Sequence, residues 1–195
     1  MVVIQAETYG KHLLTQIFTH VWYGDWDRYE DMINQIPEEL ARGLPFHPFY
    51  ERKQTSFWYD NYFLVPGDYF IPPYVSSYRS KTKEDQHQAK KDLLCLIGAF
   101  DKVGFYYPLE QEEFPDHIGS ITAFIAALLL EEINAYENSD EKLVKSLKSV
   151  KKEVYENYFQ GCLEHISTFH LKKVEDPFFK KFLPYYMESI KEIIK

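Results

Sequence analysis

The amino-acid sequence predicts an all-α protein, a single-domain helical bundle with an irregular proline- and aromatic-rich connection inside it. Hydrophobic residues recur at three- to four-residue spacing in almost every periodic segment, which is the repeat of an α-helix. No pair of alternating segments joined by a hairpin turn occurs, and no internal repeat is found. With 195 residues, of which 45% are hydrophobic, the chain is long enough to form one domain, residues 1–195, around its own core.

The first helices are predicted from apolar spacing and from a helix start signal. Residues 7–23 carry an apolar stripe, and residues 26–35 form a second, shorter helix. Pro37, followed by two glutamates, marks a third start, because proline at the first helical position loses no needed hydrogen bond and acidic side chains suit the helix dipole. We expect this helix to end near Gly43 or Pro45.

Residues 45–80 differ in composition from the rest of the chain. They hold five of the ten prolines and 12 of the 34 aromatic residues. Gly67, Pro72 and Pro73 interrupt any regular period. The sequence therefore predicts a partly ordered connection with a short helix around residues 54–62. A connection of this length inside a compact domain is usually functional or mobile.

Three long helices are predicted next. Residues 83–103 form the first. Residues 116–137 form the second, which is apolar nearly all round and is therefore expected at the centre of the bundle. Asn138, with Glu141 three residues later, has the pattern of a capping box and opens a third helix that runs to about residue 170.

Two aspartates are predicted to cap helices. Asp176 precedes Pro177 and opens the last helix, which reaches the end of the sequence. Asp116 follows Pro115 and is expected to cap the central helix by accepting a backbone N–H. An aspartate beside a histidine, as in Asp116-His117, also suits an acid–base pair or a metal site, so a helical metal-dependent hydrolase stays open as an alternative.

Charge and hydropathy bear on the location of the protein. The formal net charge of −8 argues against nucleic-acid partners and anionic membrane surfaces, which need a basic face. The first residues lack the basic region and long apolar run of a signal peptide. The longest apolar run, Ile118–Leu130, has 13 residues, whereas a membrane span needs about 20. We therefore expect a cytoplasmic protein without stable membrane insertion.

The common motifs of nucleotide binding, serine hydrolysis and zinc proteolysis are missing from the sequence. No catalytic residue, metal ion or cofactor is therefore predicted. His165 and His170 are five residues apart, which predicts that they lie on different helix faces. Cys95 and Cys162 form no C-x-x-C pair and are predicted to be reduced thiols in the core.

Several segments together resemble one known family. Residues 115–118, Pro-Asp-His-Ile, resemble the P-D-H-[LI] signature of the TorD/DmsD/NarJ family of redox enzyme maturation chaperones. Residues 61–67 and 71–78 resemble its "LF-x-G/P-G … PPYES-x-Y" segment, although Val75 stands where the family has glutamate. Residues 162–166 resemble its "FL-x-x-HL" stretch. These segments occur in the family's order, and the resemblance covers most of the chain.

The resemblance implies a TorD-like helical bundle that acts as a cytoplasmic chaperone and is not an enzyme. Members of this family bind the apoprotein of a molybdopterin oxidoreductase, often through its twin-arginine signal peptide, and hold it until the cofactor is inserted before export. By analogy, the Pro-Asp-His turn and the aromatic segments upstream would bind the peptide.

The residues around this turn also offer the chemistry that such a peptide needs. Two guanidinium groups require carboxylates, and an apolar run requires an aromatic or aliphatic groove. We hypothesise that residues 110–117 and 57–78 form two walls of one groove. The candidate signal-peptide-binding residues are Tyr62, Phe63, Tyr74, Tyr78, Glu112, Glu113, Phe114, Pro115, Asp116 and His117.

A generic helical adaptor that binds a folded protein surface is the other alternative. It predicts affinity for a client that lacks its signal peptide and none for the peptide alone. We expect a monomer rather than a dimer.

Overall fold

The computed structural model describes residues 2–79, 83–106 and 114–195, and the regular elements in these ranges are helical. The two positions outside a helix that pair as an isolated bridge are Tyr74 and His117. The α-helices are α1 (Val2–Tyr23), α2 (Trp26–Gln35), α3 (Glu38–Arg42), α4 (Arg52–Tyr59), α5 (Lys83–Lys102), α6 (Ile118–Glu137), α7 (Glu141–Val154), α8 (Gln160–His165) and α9 (Pro177–Ile194). The predicted all-α fold is confirmed.

The helix α6 lies at the centre of the fold, as its composition predicts, and packs most extensively against α1. Within the described ranges, α6 is also the helix that is long and apolar enough to cross a membrane. Because 72% of its apolar stretch is buried inside the protein, the helix is a core element here.

Aromatic side chains from α1 and α9 fill much of the core beside α6. Trp22 and Phe18 are fully buried and both meet Phe182 and Tyr186 at ring-centroid distances between 5.1 and 6.0 Å. All four of these pairs are edge to face, an arrangement that adds roughly 0.5–1.5 kcal/mol per pair beyond the burial of area. The aromatic residues of these two helices therefore contribute mainly to packing of the core.

The structure corrects the predicted start of the helix after α6. Asn138 ends α6, since its backbone N–H still donates to the Asn134 carbonyl. Ser139 then adopts a positive φ of 56°, which interrupts the helix. Asp140 takes the cap position, and its carboxylate accepts a hydrogen bond from the Leu143 N–H at 2.9 Å.

The helical path from Glu141 continues to about residue 170, as predicted, but two π-helical turns interrupt it, Tyr155–Phe159 and Ile166–His170. A π turn closes hydrogen bonds between residues five apart, and the Leu171 N–H donates to the Ile166 carbonyl in this way. His165 and His170 therefore lie close together, with ring centroids 5.7 Å apart. The prediction that they lie on different faces was wrong, because it assumed α-helical periodicity.

The aromatic-rich connection contains more helix than the sequence predicted. A short 3₁₀ turn spans His47–Phe49, α4 begins at Arg52, and a π turn extends it over Asp60–Leu64. A further 3₁₀ turn spans Val75–Tyr78. Irregular segments alternate with these turns in the described part of the region, and backbone hydrogen bonds such as that from the Ile71 N–H to the Tyr62 carbonyl at 2.7 Å connect them.

Two smaller predictions had opposite outcomes. Asp176 caps α9 as predicted, with its carboxylate accepting from the Phe179 N–H at 3.1 Å. Of the two thiols predicted in the core, Cys162 is buried but Cys95 is exposed. Cys95 lies on α5, which turns one face to solvent.

Candidate functional site

The Pro-Asp-His turn is joined to the aromatic connection by three backbone-mediated hydrogen bonds. The Val75 N–H donates to the Asp116 carbonyl at 3.0 Å, and the Ile118 N–H donates to the Pro73 carbonyl at 2.8 Å. The Ser76 N–H donates to the Asp116 carboxylate at 3.0 Å. We call residues 73–76 together with 114–118 the clasp. It brings together two motifs that lie about 40 positions apart in the sequence.

Asp116 has a different partner from the one that the sequence predicts. Its side chain is only 8% exposed, and it accepts from Ser76 in the upstream segment. The cap of α6 is His117, whose ring Nδ1 accepts from the Gly119 N–H at 3.0 Å. The prediction of an Asp116 cap was wrong, because the extended backbone that precedes α6 occurs one residue later, at His117.

The His117 ring is buried between aromatic side chains. It is 1% exposed; the Tyr23 ring stacks on it at 5.4 Å with an interplanar angle of 8°, and the Tyr74 ring meets it edge on at 5.2 Å. Burial lowers the pKa of His117 to about 4. The ring is therefore neutral near pH 7, and since Nδ1 accepts a hydrogen bond, the proton is assigned to Nε2.

A glycine at the second position of α6 makes this stacking possible. A Cβ atom at Gly119 would lie 2.9 Å from His117 Nδ1 and 2.9 Å from Tyr23 Cε1. Glycine is a poor helix former, so its presence here reflects the close approach of the two rings.

Replacing Gly119 by alanine is expected to lower the free energy of unfolding by about 1–3 kcal/mol, because the added methyl overpacks the rings. Denaturant unfolding measures the change. Gly98→Ala in α5 is the matched control, since nothing lies within 4 Å of a Cβ there, and it should be neutral or stabilising by up to about 1 kcal/mol. Equal effects of the two substitutions would contradict the proposed close contact.

Two of the candidate residues lie in the core. Tyr62 is fully buried and Phe63 is 3% exposed. The Tyr62 hydroxyl accepts hydrogen bonds from the Glu175 N–H at 2.8 Å and the Asp176 N–H at 3.0 Å, and so fixes the start of α9. Direct contact of Tyr62 and Phe63 with a peptide therefore does not fit the structure, because their rings are needed for packing.

The other aromatic candidates lie nearer the surface. Phe114 is 64% exposed, and its ring meets the half-buried Tyr74 ring at 6.0 Å. Pro115, the next residue, is buried. Tyr78 is half-buried, donates its hydroxyl to the Pro72 carbonyl at 2.6 Å and packs against His165. Glu112 and Glu113 lie outside the described residues.

Sequence reasoning missed three residues that support the clasp. The Tyr23 hydroxyl is 2.9 Å from the Ser120 hydroxyl, which in turn donates to the Phe114 carbonyl at 3.2 Å. Arg79 pairs with Asp92 of α5 and donates to the Asn157 carbonyl in the π turn Tyr155–Phe159. Arg79 directly follows the aromatic motif in the sequence, and its positive charge is the feature from which a pairing partner could have been predicted.

The surroundings of Asp116 offer little room for a substrate. The cavity beside its carboxylate, lined also by Ser76, Arg79 and Asp92, has a volume of about 20 Å³, which suits a single water molecule. Among the side chains that the structure describes, no three His, Cys, Asp or Glu are grouped so that they could hold a metal ion. The hydrolase alternative lacks further ligands in this part of the chain.

Comparison with known proteins gives one match. The family model described as "Nitrate reductase delta subunit" matches residues 51–164, which is more than half of the chain and includes both segments of the clasp. No curated protein and no solved structure matches the chain. Helix α9 and the first 50 residues lie outside the matched range.

Proposed function

This chain belongs to the nitrate reductase delta subunit family of molybdoenzyme maturation chaperones, and from that premise we propose that it binds the precursor of a molybdopterin oxidoreductase through its twin-arginine signal peptide. In this proposal the chaperone acts in the cytoplasm as a monomer, by binding and not by catalysis. It keeps the precursor from export until the cofactor has been inserted.

The observation that carries the proposal is the clasp itself. It joins the two segments by which the sequence resembles the family, and the family match spans both of them. Buried Asp116 and His117 serve to hold this geometry, while Phe114 is exposed and Tyr74 is half-buried. These two rings offer an apolar contact for the signal peptide.

Charge recognition in the proposal comes from the acidic residues next to the clasp. Glu112 and Glu113 directly precede the exposed Phe114. Guanidinium–carboxylate pairs are among the stronger hydrogen-bonded contacts and are often bidentate. An arginine pair followed by an apolar run would therefore meet carboxylates first and the two rings next.

Charge reversal is expected to weaken binding of a synthetic twin-arginine signal peptide. The double variant Glu112→Lys/Glu113→Lys should raise the dissociation constant at least about tenfold, since losing roughly 1.4 kcal/mol is enough for that change. Fluorescence anisotropy with a labelled peptide measures it. Glu38→Lys/Glu39→Lys on α3 makes the same charge change away from the clasp and should leave the affinity unchanged.

Co-purification from the native cytoplasm tests the partner class. The tagged wild type should capture a molybdopterin oxidoreductase precursor that still carries its signal peptide. Unchanged peptide affinity in the charge-reversed protein would refute the acidic part of the site. Capture of a client from which the signal has been deleted, without affinity for the peptide, would favour the adaptor alternative.

A further inference from the structure

An open groove of about 790 Å³ runs between the helical path of α7 and α8 and the C-terminal helix α9. It lies on different elements from the clasp, and one of its walls, α9, is outside the range matched by the family. Its lining residues recur every three to four positions on each side, which places them on one face of each helix.

The two walls run in opposite directions. The Phe159 ring on the first wall meets the Tyr186 ring of α9 at 6.4 Å. At 1.5 Å per residue, Leu171 lies about 18 Å beyond Phe159, and Pro177 about 14 Å before Tyr186. A parallel arrangement would separate Leu171 from Pro177 by about 31 Å, but six residues reach at most about 21 Å. The walls are therefore antiparallel.

The floor of the groove is apolar. Tyr155 and Leu171 on one wall and Met187 on the other line it and are only half-buried. They also pack against the hydrophobic core. Such a strip between two helices suits the apolar face of a third helix.

The charged residues of the groove divide into two halves. The antiparallel register places positions after Tyr186 beside positions before Phe159. At this register Glu164 lies toward the Leu171 end, Glu156 and Glu188 lie within about 5 Å of the Phe159–Tyr186 level, and the lysines lie further toward the Ile194 end. The acidic half consists of Glu156, Glu164 and Glu188, and the basic half of Lys152, Lys191 and Lys195.

These six side chains are all exposed, and the contacts that some of them make lie at the surface. Lys195 pairs with Glu192 at 2.6 Å, and the Gln160 side-chain amide donates to Glu164 at 2.8 Å. Lys152 and Glu156 meet at the boundary between the halves at 3.7 Å, but an exposed ion pair is worth only about 0–1 kcal/mol. An arriving partner charge can therefore replace it at little cost.

We propose that this groove binds an amphipathic helix of a partner protein whose amino-terminal end is basic and whose carboxyl-terminal end is acidic. Basic side chains at that amino end pair with the acidic half, and acidic side chains pair with the lysines. The helix dipole favours the same orientation, because its amino end carries partial positive charge. From Glu164 to Lys152 the groove spans about 18 Å, or three helical turns of the occupant.

Two designed 18-residue peptides test the proposal on the full-length protein. Both carry the same leucine stripe and the same numbers of arginine and glutamate. One has the arginines in its first turns and the glutamates in its last turns, and the other alternates them along its length. The dipolar peptide should bind about tenfold more tightly in anisotropy measurements, because several rim ion pairs add up to roughly 1.4 kcal/mol.

A charge-reversed groove tests the location. Glu164→Lys/Glu188→Lys changes two exposed positions and should abolish the preference for the dipolar peptide, while thermal unfolding confirms an intact fold. Glu38→Lys/Glu39→Lys is the matched control and should keep the preference. Equal affinity for both peptides, no binding of either, or a preference that survives the groove variant would overturn the proposal. None of these outcomes depends on the twin-arginine peptide.

Discussion

Replacing Lys151 by alanine is expected to lower the free energy of unfolding by about 3–5 kcal/mol, the usual cost of removing one partner of a buried ion pair. Lys151 on α7 and Glu132 on α6 are 3% and 2% exposed, and Nζ lies 2.7 Å from the carboxylate. Burial is the largest influence on the pKa of Lys151 and lowers it, although Glu132 opposes this effect. Without the ammonium group, a carboxylate would be left uncompensated inside the protein.

Lys152→Ala is the matched control for this effect. Lys152 is the next residue on the same helix, and its pair with Glu156 is exposed on both sides. Its loss should cost no more than about 1 kcal/mol. Denaturant unfolding monitored by circular dichroism compares the two variants.

The double variant Lys151→Met/Glu132→Leu separates the pair from the packing around it. Apolar side chains of similar size often replace a buried ion pair without loss of stability, so this variant should recover most of the deficit of Lys151→Ala. If Lys151→Ala were as mild as Lys152→Ala, the ion pair would not be buried as described.

Acidification is expected to destabilise the protein through His117. The pKa of the free side chain is 6.5, and burial lowers it to about 4 in the folded state. Between these values the unfolded chain binds a proton that the folded protein does not. The stability contributed by the neutral ring is therefore fully present above pH 6.5 and is lost as the pH falls toward 4, by about 3 kcal/mol in total.

His117→Asn isolates this contribution. Asparagine is a good helix cap and does not titrate, so the variant should lose less stability than the wild type between pH 7.5 and pH 4.5. Burial also lowers the pKa of His20, His47 and His170, but these contributions are common to both proteins and cancel in the difference. Parallel stability curves for the two proteins would show that His117 is not the source.

Local sequence patterns predicted the structure correctly where neighbouring residues determine it. The extent of α2 matches its prediction, and α9 begins at its proline after an aspartate cap. Apolar periodicity identified the central helix, since an all-round apolar surface is stable only when it is covered on every side. The family resemblance likewise followed from ordered motifs and is confirmed.

Local patterns failed where a distant segment or an unusual turn decided the outcome. Asp116 was predicted to serve its own helix, but it accepts from Ser76, forty positions upstream. The 3.6-residue repeat separated His165 from His170, whereas the π turn brought them together. Tyr62 and Phe63 were predicted to line a groove, but the start of α9 covers them.

The sequence by itself determined the helical class of this protein, its central helix and the motifs of its family, because hydrophobic period, caps and short motifs are properties of neighbouring residues. The tertiary structure alone decided which side chains are accessible. Burial, the pKa of His117, the Glu132–Lys151 pair and the division of charge along the groove all depend on which helices meet. Which helices pack against each other is determined by the whole chain and not by any one segment.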